Sequence, residues 1–387
     1  MKKRMTYLDN AASTMVAPEV ITAMKPFFAS SYGNPGSIHR FGRDAKEAVE
    51  QARKVIGDKI GAKPEEIVFT SGGTESNGLA IKGVLYKTEA TVGFKKNKNN
   101  KKGVVTTSVE HPSLLNVCRA SEHDGFTVSF VGVNHEGFVN FRQLQEKITE
   151  RTALVSVIHG NNEIGTVNDI RAIGKLCREK GVLFHTDACQ SFLKEDIDVK
   201  KMGVDLLTLN GHKIHGPKGV GALYVREGVR LRPVFLGGQQ EHEMRAGTEN
   251  VPGIVGFGKA VELWKKDDVQ KMTKLREKLI DGLLQIPNSQ LNGSREKRLC
   301  NNVNASFKGI EGEALVRYLD QQMIMASTGS ACTSHQIEAS HVLRAIGLDD
   351  EWAGGTLRLS LSRFTTSAEI IKTVDTTQKI IAYLRAV

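Results

Sequence analysis

The sequence predicts an α/β protein with a large domain built on a mostly parallel sheet flanked by helices, and a smaller α+β domain at the C-terminus. Three observations predict this fold class. From about residue 65 to 225, short apolar runs rich in β-branched residues alternate with helix-like segments, as in strand–helix–strand units. Several runs are apolar throughout, which is typical of strands buried on both faces. After Leu284, two further strand-like runs lie among helices, which indicates a second unit.

Seven runs predict the strands of the large sheet. In chain order they are EEIVFT (65–70), KGVVTTSV (102–109), FTVSFVGV (126–133), TALVSVIH (152–159), GVLFHTDA (181–188), VDLLTLN (204–210) and GVGALYV (219–225). In open parallel sheets, ligands bind beyond the carboxyl ends of the strands. The polar residues that close these runs are therefore candidate site residues.

The rest of the chain predicts the smaller domain. GFGKAVELWKKDD (256–268) leads into an amphipathic, charged helical stretch that ends at about Leu284. CNNVNASFKGI (300–310) and GTLRLSL (355–361) read as strands. We place the large domain at residues 15–261 and the small domain at residues 1–14 and 262–387, with the N-terminal segment near the active site.

Composition indicates a soluble protein. The 387 residues are 40% hydrophobic and 25% charged, which suffices for two folded domains. The first residues pass into polar Asp9 and Asn10 without the apolar stretch of a secretory signal. No apolar run approaches the roughly 18 residues of a membrane span. A cytoplasmic protein is therefore expected.

The cysteines argue against a disulfide framework or a zinc site, since the five are widely spaced and form no C-x-x-C pair. Four of them are expected to be buried free thiols. Cys332 differs because it lies among small residues, in STGSACTS (327–334). That composition is typical of an accessible thiol on a mobile loop.

The formal charge of +10 is partly local, since residues 94–103 carry five lysines and no acid. This lysine-rich segment is expected to be a solvated surface loop or, alternatively, a docking patch for an acidic protein or RNA. No interleaved aromatic residues are present to stack on bases, so direct nucleic-acid binding is not expected.

The first strand leads into the turn IVFTSGGTESN (67–77). Gly72 and Gly73 permit a tight turn that brings backbone N–H groups close to a ligand, and Thr74 opens a helix whose N-terminal dipole favours an anion. The turn therefore has the shape of a phosphate cradle. The same pattern also fits a simple helix N-cap.

Charged residues close two later strands. Asp187 follows a buried run, and a buried carboxylate needs a partner such as a protonated pyridine nitrogen or a structural salt bridge. Gln190 follows three residues later. Lys213 follows an apolar strand, where its amine can have a depressed pKa and attack an aldehyde.

The other polar residues at strand ends each have two interpretations. His111 precedes a helix and is either structural or catalytic. Asn161 and Asn162 either bind a ring substituent or form a turn. Arg358 and Arg363 either clamp a substrate carboxylate or form surface ion pairs.

Taken together and in this order, these pieces resemble the cysteine desulfurases of the NifS/IscS type, which are fold-type-I pyridoxal-phosphate enzymes of the class-V aminotransferase family. The resemblance covers nearly the whole chain. It is carried by YLDNAAST, GNPGSIHRFGRDA, FTSGGTESN, NNEIGTV, HTDACQS, GHKIHGPKG, MRAGTENVPGIVGFGKA, STGSACTS and LRLSLSRFTT.

The resemblance implies a cofactor site. Lys213 would hold pyridoxal phosphate as a Schiff base, Asp187 would pair with the pyridine nitrogen, and His111 would stack on the ring and transfer protons. The remaining contacts would be Asn162 and Gln190 at the phenolic oxygen, and Gly73, Thr74, His212 and, from the second subunit of a homodimer, Thr248 at the phosphate.

The resemblance also implies a substrate and a product. Arg358, with Asn162 nearby, would bind the carboxylate of L-cysteine. Cys332 would take the sulfur as a persulfide and release alanine. The sulfur would then pass to an iron–sulfur scaffold or a carrier protein, for iron–sulfur assembly or transfer-RNA thiolation. Persulfidated Cys332 would also be a transient ligand of a nascent cluster.

Some residues depart from the family pattern. Asn210 stands where serine is usual, which puts one phosphate contact in doubt, and Ser362 stands where glycine is usual. His335 and Gln336 replace small residues, and the lysine-rich segment resembles an insertion. The alternatives are a selenocysteine lyase, an aminotransferase that would not need Cys332, and a non-catalytic basic protein that binds nucleic acid or a sulfur carrier.

Overall fold

The computed structural model describes residues 5–88, 102–329 and 340–386. Within these ranges the strands are β1 (Thr6–Tyr7), β2 (Ile67–Thr70), β3 (Gly103–Thr107), β4 (Thr127–Val131), β5 (Thr152–Ser156), β6 (Leu183–Asp187), β7 (Leu206–Asn210), β8 (Gly221–Val225), β9 (Ser289–Leu291), β10 (Asn302–Phe307), β11 (Ile324–Met325) and β12 (Thr356–Ser360).

The α-helices of the same ranges are α1 (Pro18–Met24), α2 (Pro26–Ala29), α3 (Arg40–Ile60), α4 (Gly73–Leu85), α5 (Pro112–His123), α6 (Phe141–Lys147), α7 (Ile170–Glu179), α8 (Val199–Met202), α9 (Val251–Glu262), α10 (Lys266–Leu284), α11 (Gly312–Gln321), α12 (His341–Ala345), α13 (Asp350–Gly354) and α14 (Ser367–Ala386). Short 3-10 turns cover Pro64–Glu66, Tyr86–Thr88 and Glu241–Glu243.

The large sheet has seven strands in the order β2-β8-β7-β6-β5-β3-β4. Each strand lies within one of the seven predicted runs, and the mostly parallel arrangement is confirmed. Only β8 is reversed, because it pairs antiparallel with both β2 and β7. The other strands therefore end at one common edge, where ligands of such sheets bind.

The sheet is buried on both faces because its apolar side chains alternate between two cores. On β2, Ile67 and Phe69 contribute to one apolar cluster and Val68 to the other. On β7, Leu207 and Leu206 divide in the same way. This period of two is the geometry of a strand, and it explains why the runs are apolar throughout.

The C-terminal part forms a three-stranded sheet in the order β12-β10-β9, with antiparallel pairing. The two predicted runs contain β10 and β12, and the predicted long helix is α10, which ends at Leu284. A separate apolar cluster joins this sheet to residues of α10, α11 and α14. Leu8 belongs to that cluster, and β1 pairs in parallel with β11. The first residues of the chain thus pack with its last part.

Among the described residues, no helix is both long and apolar enough to span a membrane.

Candidate active site

Polar side chains gather at the carboxyl edge of the large sheet, because the chain leaves several strands there. Gly73 follows β2, His111 follows β3 and Asn162 follows β5. Asp187 is the last residue of β6, and Lys213 lies three residues beyond the end of β7. The structure therefore brings these predicted residues to one edge.

Helix α4 begins at Gly73, so the backbone N–H groups of its first turn have no partner within the helix. Thr74 in this turn is exposed. A Cβ on Gly73 would lie 2.6 Å from the Cys189 sulfur and 3.6 Å from Asn210 Nδ2. The turn thus packs too tightly for any side chain at position 73, and it presents an anion-binding helix end.

Asp187 is 4% exposed, and its two carboxylate oxygens have neutral donors. Oδ1 accepts from the Cys189 N–H at 2.9 Å, and Oδ2 accepts from Asn77 Nδ2 at 2.8 Å. Among the described residues, no cationic side chain lies within ion-pair distance of this carboxylate. The structural salt bridge considered above is therefore absent there, and the carboxylate suits a protonated nitrogen of a ligand.

The amine of Lys213 points back to the N-terminal segment. Nζ donates to the carbonyl oxygens of Ala11 and Ala12, the latter at 2.7 Å. Burial is the main cause that lowers the pKa of Lys213 to about 8, and the positive charges of Arg358 and Lys194 lower it further. A lysine in this state has a substantial neutral fraction and is a competent nucleophile.

Lys194 lies beneath the site and was missed by the reasoning from sequence. It is 5% exposed, and Nζ donates to the carbonyl oxygen of Gln190 at 2.9 Å and to that of Lys213 at 3.3 Å. Burial lowers the pKa of Lys194 to about 8. The ammonium thus connects the backbones of two predicted cofactor residues.

The N-terminal segment 9–14 closes one side of the site. Gln190 Nε2 donates to the Ala11 carbonyl oxygen at 2.8 Å. Thr14 Oγ1 donates to the His212 carbonyl oxygen at 2.9 Å, and His212 Nδ1 lies 3.4 Å from Ser13 Oγ. Burial, followed by the charge of Lys213, lowers the pKa of His212 to about 3. His212 is therefore neutral at physiological pH.

His111 caps helix α5. Its Nδ1 accepts from the Ser113 N–H at 3.1 Å and lies 2.8 Å from Ser113 Oγ. Burial is the largest cause that lowers the pKa of His111, while the nearby charge of Asp187 opposes this effect. The ring is therefore predominantly neutral near pH 7.

Arg358 borders the site through its contact with Asn162, and its side chain is 3% exposed. Nη2 donates to Asp9 Oδ1 at 2.9 Å, and Nη1 donates to the carbonyl oxygens of Asn162 and Gly329 at 3.1 and 3.2 Å. Nε is buried and has no hydrogen-bond partner in the described part of the chain. Three of its five N–H donors are engaged in these bonds, so the Nε–H and the second Nη2–H are left for a ligand.

Arg363 was the other candidate for a carboxylate clamp. Its Nη1 donates to the Leu263 carbonyl oxygen at 2.9 Å, and its guanidinium lies 4.9 Å from the centre of the Phe364 ring. Within the described residues Arg363 makes no hydrogen bond to Asn162, whereas Arg358 does, so Arg358 has the better position.

For two predicted site residues, the described part of the chain shows no contact at this edge. Thr248 is exposed and makes no hydrogen bond among the described residues. Cys332 and His335 lie outside the described residues, as does most of the lysine-rich segment.

Cys189 corrects one expectation, because it is not a simple core thiol. Cys118, Cys177 and Cys300 are buried and free, as predicted, but Cys189 is only partly buried and lies between Asp187 and the start of α4. Burial, and then the negative charge of Asp187, raises the pKa of this thiol well above its usual range. Cys189 is therefore a neutral packing group in the site.

Asp9 and Asn77 are site residues that sequence reasoning did not single out. Asp9 follows a strand-like pair in YLDNAAST, and an acid at such a position could have been matched to one of the late arginines. Asn77 is 0% exposed within α4. Nothing local in the sequence distinguishes Asn77 from a polar residue on a helix surface.

The arrangement fits pyridoxal phosphate. It offers an amine with a lowered pKa at Lys213, a buried carboxylate at Asp187 for a ring nitrogen, and a helix N-terminus at Gly73 for a phosphate. Asn162 Oδ1 and Arg358 Nε are buried polar atoms that have no hydrogen-bond partner within the described residues. A polar ligand bound beside them would satisfy both. Among those residues, no group of acids, histidines and cysteines is suited to hold a metal ion.

Comparison with known proteins agrees with this chemistry. The family model described as Aminotransferase class-V matches residues 6–372. The chain is 45% identical to a protein of Methanosarcina thermophila named cysteine desulfurase IscS, over 99% of this chain and 94% of that protein.

Solved structures show the same fold. One titled "NIFS-LIKE PROTEIN" superposes with a TM-score of 0.90 at 34% identity, covering 98% of this chain and all of that one. Another, titled "SspA in complex with cysteine", has a TM-score of 0.82 at 40% identity and covers 93% of this chain and all of that one. The chain therefore belongs to the aminotransferase class-V family of pyridoxal-phosphate enzymes and groups with its cysteine desulfurases.

Proposed function

We propose that this chain converts L-cysteine to L-alanine and takes the sulfur on Cys332 as a persulfide. The observation that carries the proposal is the placement of Lys213, Asp187 and Arg358 around one polar edge of the sheet. The relative named cysteine desulfurase IscS supports the choice of substrate and reaction.

Pyridoxal phosphate, when bound, withdraws electrons from the α-carbon of an amino acid joined to it. Asp187 would hold its ring nitrogen, and Asn162 and Gln190 would contact the region of its phenolic oxygen. The phosphate would be held by the first turn of α4, at Gly73 and Thr74, and by His212. Lys213 would supply the amine that binds the aldehyde.

Lys213 is also placed to move the α-proton of the substrate. Its pKa of about 8 lets the amine exist in both protonation states near neutral pH, which suits a proton carrier. When protonated, its ammonium can rest on the carbonyl oxygens of Ala11 and Ala12.

Arg358 would bind the substrate carboxylate. Its charge is buried, and its free Nε lies beside the Nη2 that already donates to Asp9. A guanidinium can bind a carboxylate through two parallel hydrogen bonds. Asn162 is fixed next to Arg358 through its backbone carbonyl, so both groups orient the same end of the substrate.

Cys332 would act as the sulfur acceptor. As a thiolate it attacks the sulfur of cysteine, a sulfur–sulfur bond forms, and the carbon–sulfur bond breaks with its electron pair retained by the carbon fragment. That fragment gains a proton and leaves as alanine. Gly329 contacts Arg358, and the three peptide links from Gly329 to Cys332 can span at most about 11 Å.

A homodimer would complete the cofactor site through Thr248. The segment before Thr248 carries exposed apolar side chains, with Phe235 53% and Leu236 81% exposed. Exposed apolar side chains grouped in one segment are typical of a surface covered by a partner. A protein acceptor, either an iron–sulfur scaffold or a sulfur carrier, would then remove the persulfide sulfur, and persulfidated Cys332 would be a transient ligand of a nascent cluster.

The test is turnover of L-cysteine by the cofactor-loaded protein, with alanine and sulfide measured separately. With a reductant present, the two products should form in equal amounts. Cys332→Ala should lose sulfide release and keep the absorbance of the bound cofactor, whereas Cys118→Ala, the loss of a buried thiol, should keep both. Full sulfide release by Cys332→Ala would disprove the persulfide role.

Lys213 is tested independently by borohydride reduction followed by peptide mapping. The cofactor should be found on the peptide that contains Lys213. Labelling of Lys218 instead, which is exposed and five residues away, would disprove the assignment.

A further inference from the structure

A continuous chain of hydrogen bonds connects the Asp187 carboxylate to the His111 ring. Asn77 Nδ2 lies 2.8 Å from Asp187 Oδ2 and 3.0 Å from Ser113 Oγ. Ser113 Oγ lies 2.8 Å from His111 Nδ1, and the Ser113 backbone N–H donates to the same nitrogen at 3.1 Å. Two helices supply this bridge, since Asn77 is in α4 and Ser113 is in the first turn of α5.

Asp187 fixes the direction in which the hydrogens point. A carboxylate only accepts hydrogen bonds, so Asn77 must present its amide nitrogen to it. The opposite orientation of the amide would place two oxygens against each other. The NH2 group has two hydrogens, one for Asp187 and one for Ser113. Ser113 Oγ therefore accepts from Asn77, and its own hydrogen is available for His111 Nδ1.

His111 Nδ1 must then carry a lone pair, because both Ser113 groups donate to it. In a neutral imidazole only one nitrogen bears a hydrogen, so that hydrogen lies on Nε2. Protonation at Nδ1 would set its N–H against the Ser113 backbone N–H. Burial also favours the neutral ring, because it lowers the pKa of His111. The charges of Lys213 and His341 add to this effect, and those of Asp187 and Glu163 oppose it.

We propose that Asn77 and Ser113 are positioning residues that hold neutral His111 with its hydrogen on Nε2, which makes Nε2 a hydrogen-bond donor toward a bound ligand. Nε2 has no hydrogen-bond partner among the described residues, whereas Nδ1 is engaged twice. The use of this Nε2–H donor in turnover rests on the proposed function. The tautomer itself rests on contacts within the protein.

The test uses the full chain labelled with ¹⁵N-histidine, first without cofactor and then loaded. The ¹⁵N chemical shifts tell a bare ring nitrogen from a protonated one, and His111→Asn assigns the signal by its loss. Ser113→Ala removes the hydroxyl donor to Nδ1, so the bare nitrogen loses one stabilising contact. We expect the proton affinity of His111 to rise by about two- to tenfold, the size of one net hydrogen bond.

Matched variants separate positioning from general damage. Asn77→Ala should move the titration of His111 in the same direction as Ser113→Ala, and Ser113→Thr, which keeps a hydroxyl, should restore it. Ser121→Ala is the control, because Ser121 is buried in the same helix and donates to Val117 instead. It should leave His111 unchanged.

An Nδ1–H tautomer in the unmodified chain would overturn the proposal, and so would an unchanged His111 titration in Ser113→Ala. These results are independent of desulfuration. Loss of the proposed activity with the expected tautomer would count against the proposed function alone.

Discussion

Asp9 and Arg358 form an ion pair in which Oδ1 and Nη2 are 2.9 Å apart, between the first and the last parts of the chain. The Arg358 side chain is 3% exposed and that of Asp9 is 21% exposed. Within the described residues, the Asp9 carboxylate offsets the buried charge of Arg358, so it both stabilises the guanidinium and fixes which of its N–H groups remain free.

Asp9→Asn should destabilise the protein. Loss of one partner from a fully buried pair costs about 3–5 kcal/mol, and the partial exposure of Asp9 reduces this to about 2 kcal/mol in the free energy of unfolding. Denaturant unfolding of the full chain measures it. Asp375→Asn, which breaks the exposed pair with Lys379, is the control and should change stability by less than about 0.5 kcal/mol. Equal effects of the two variants would contradict the prediction.

Arg358→Lys should lower kcat/KM for cysteine by about tenfold or more, since an ammonium keeps the charge but loses the planar fork. Cysteamine, which lacks the carboxylate, provides the comparison. The unmodified chain should strongly prefer cysteine over cysteamine, and the variant should lose that preference. Arg363→Lys should retain it, because Arg363 bonds the Leu263 carbonyl oxygen instead. A variant that loses activity equally with both thiols would indicate damage to the fold.

Cofactor loading should depend on pH through Lys213. The neutral amine attacks an aldehyde, and the pKa of Lys213 in the folded chain is about 8. The rate of loading on cofactor-free protein should therefore rise by about tenfold per pH unit below pH 8 and level off above it. Absorbance of the bound cofactor after rapid mixing measures the rate. A midpoint near pH 10 would show that the pKa of Lys213 is not lowered in the folded chain.

The same pKa has a consequence for stability. Because the folded pKa of Lys213 lies below the ordinary value of about 10.4, the unfolded chain binds more protons between pH 8 and that value. The contribution of Lys213 to stability should rise with pH across this interval. Lys213→Met should remove that part of the pH dependence, as measured by denaturant unfolding at a series of pH values.

Ser340→Ala should slow persulfide formation. Ser340 Oγ donates to Glu163 Oε2 at 2.5 Å, and Glu163 follows Asn162 directly. Ser340 is the residue that directly follows segment 330–339, and this hydrogen bond holds it beside the candidate active site. Loss of a hydrogen bond to a charged group should slow the step by about tenfold, with cofactor loading unchanged. Mass spectrometry of Cys332 after mixing with cysteine measures it.

Asp349→Ala is the control for Ser340→Ala. Asp349 caps α13 as Ser340 caps α12, but it makes no contact with Glu163. If both variants slow persulfide formation alike, helix capping and not the anchor is responsible.

Gly73→Ala should impair cofactor binding, because the new Cβ would lie 2.6 Å from the Cys189 sulfur. The double variant Gly73→Ala, Cys189→Ala removes that sulfur and should recover most of the affinity. Titration of cofactor-free protein with pyridoxal phosphate measures both. If the double variant binds no better than Gly73→Ala, the contact with Cys189 is not the cause.

The elements of the large sheet could be predicted because each strand carries its own local signal. TALVSVIH predicts a strand up to His159, and the structure ends β5 at Ser156. Val157 and His159 still donate to the carbonyl oxygens of His185 and Asp187, so pairing with β6 continues beyond the end of β5. Strand ends of this kind depend on tertiary contacts. The short β1, β9 and β11 carry too few residues for any periodicity.

The site could be predicted where a residue closes a strand, as Asp187 does, or follows a strand within a few residues, as Lys213 does. Asn77 contacts Asp187 across 110 positions of sequence, and Asp9 contacts Arg358 across 349. Polar pairs at such separations leave no pattern in a single sequence. Their identification required the fold.

The contacts between the first and the last parts of the chain affect when the site can form during protein synthesis. Ala11 and Ala12 hold the Lys213 amine, yet the segment that contains them is fastened to β12 through Asp9 and through the backbone of Asn10 and Ser360. Among the described strands β12 leaves the ribosome after all the others, so the first residues can reach their place only once β12 has emerged. The surroundings of the Lys213 amine are therefore completed only after β12 has been made, and a nascent chain stalled before β12 would expose a half-built site.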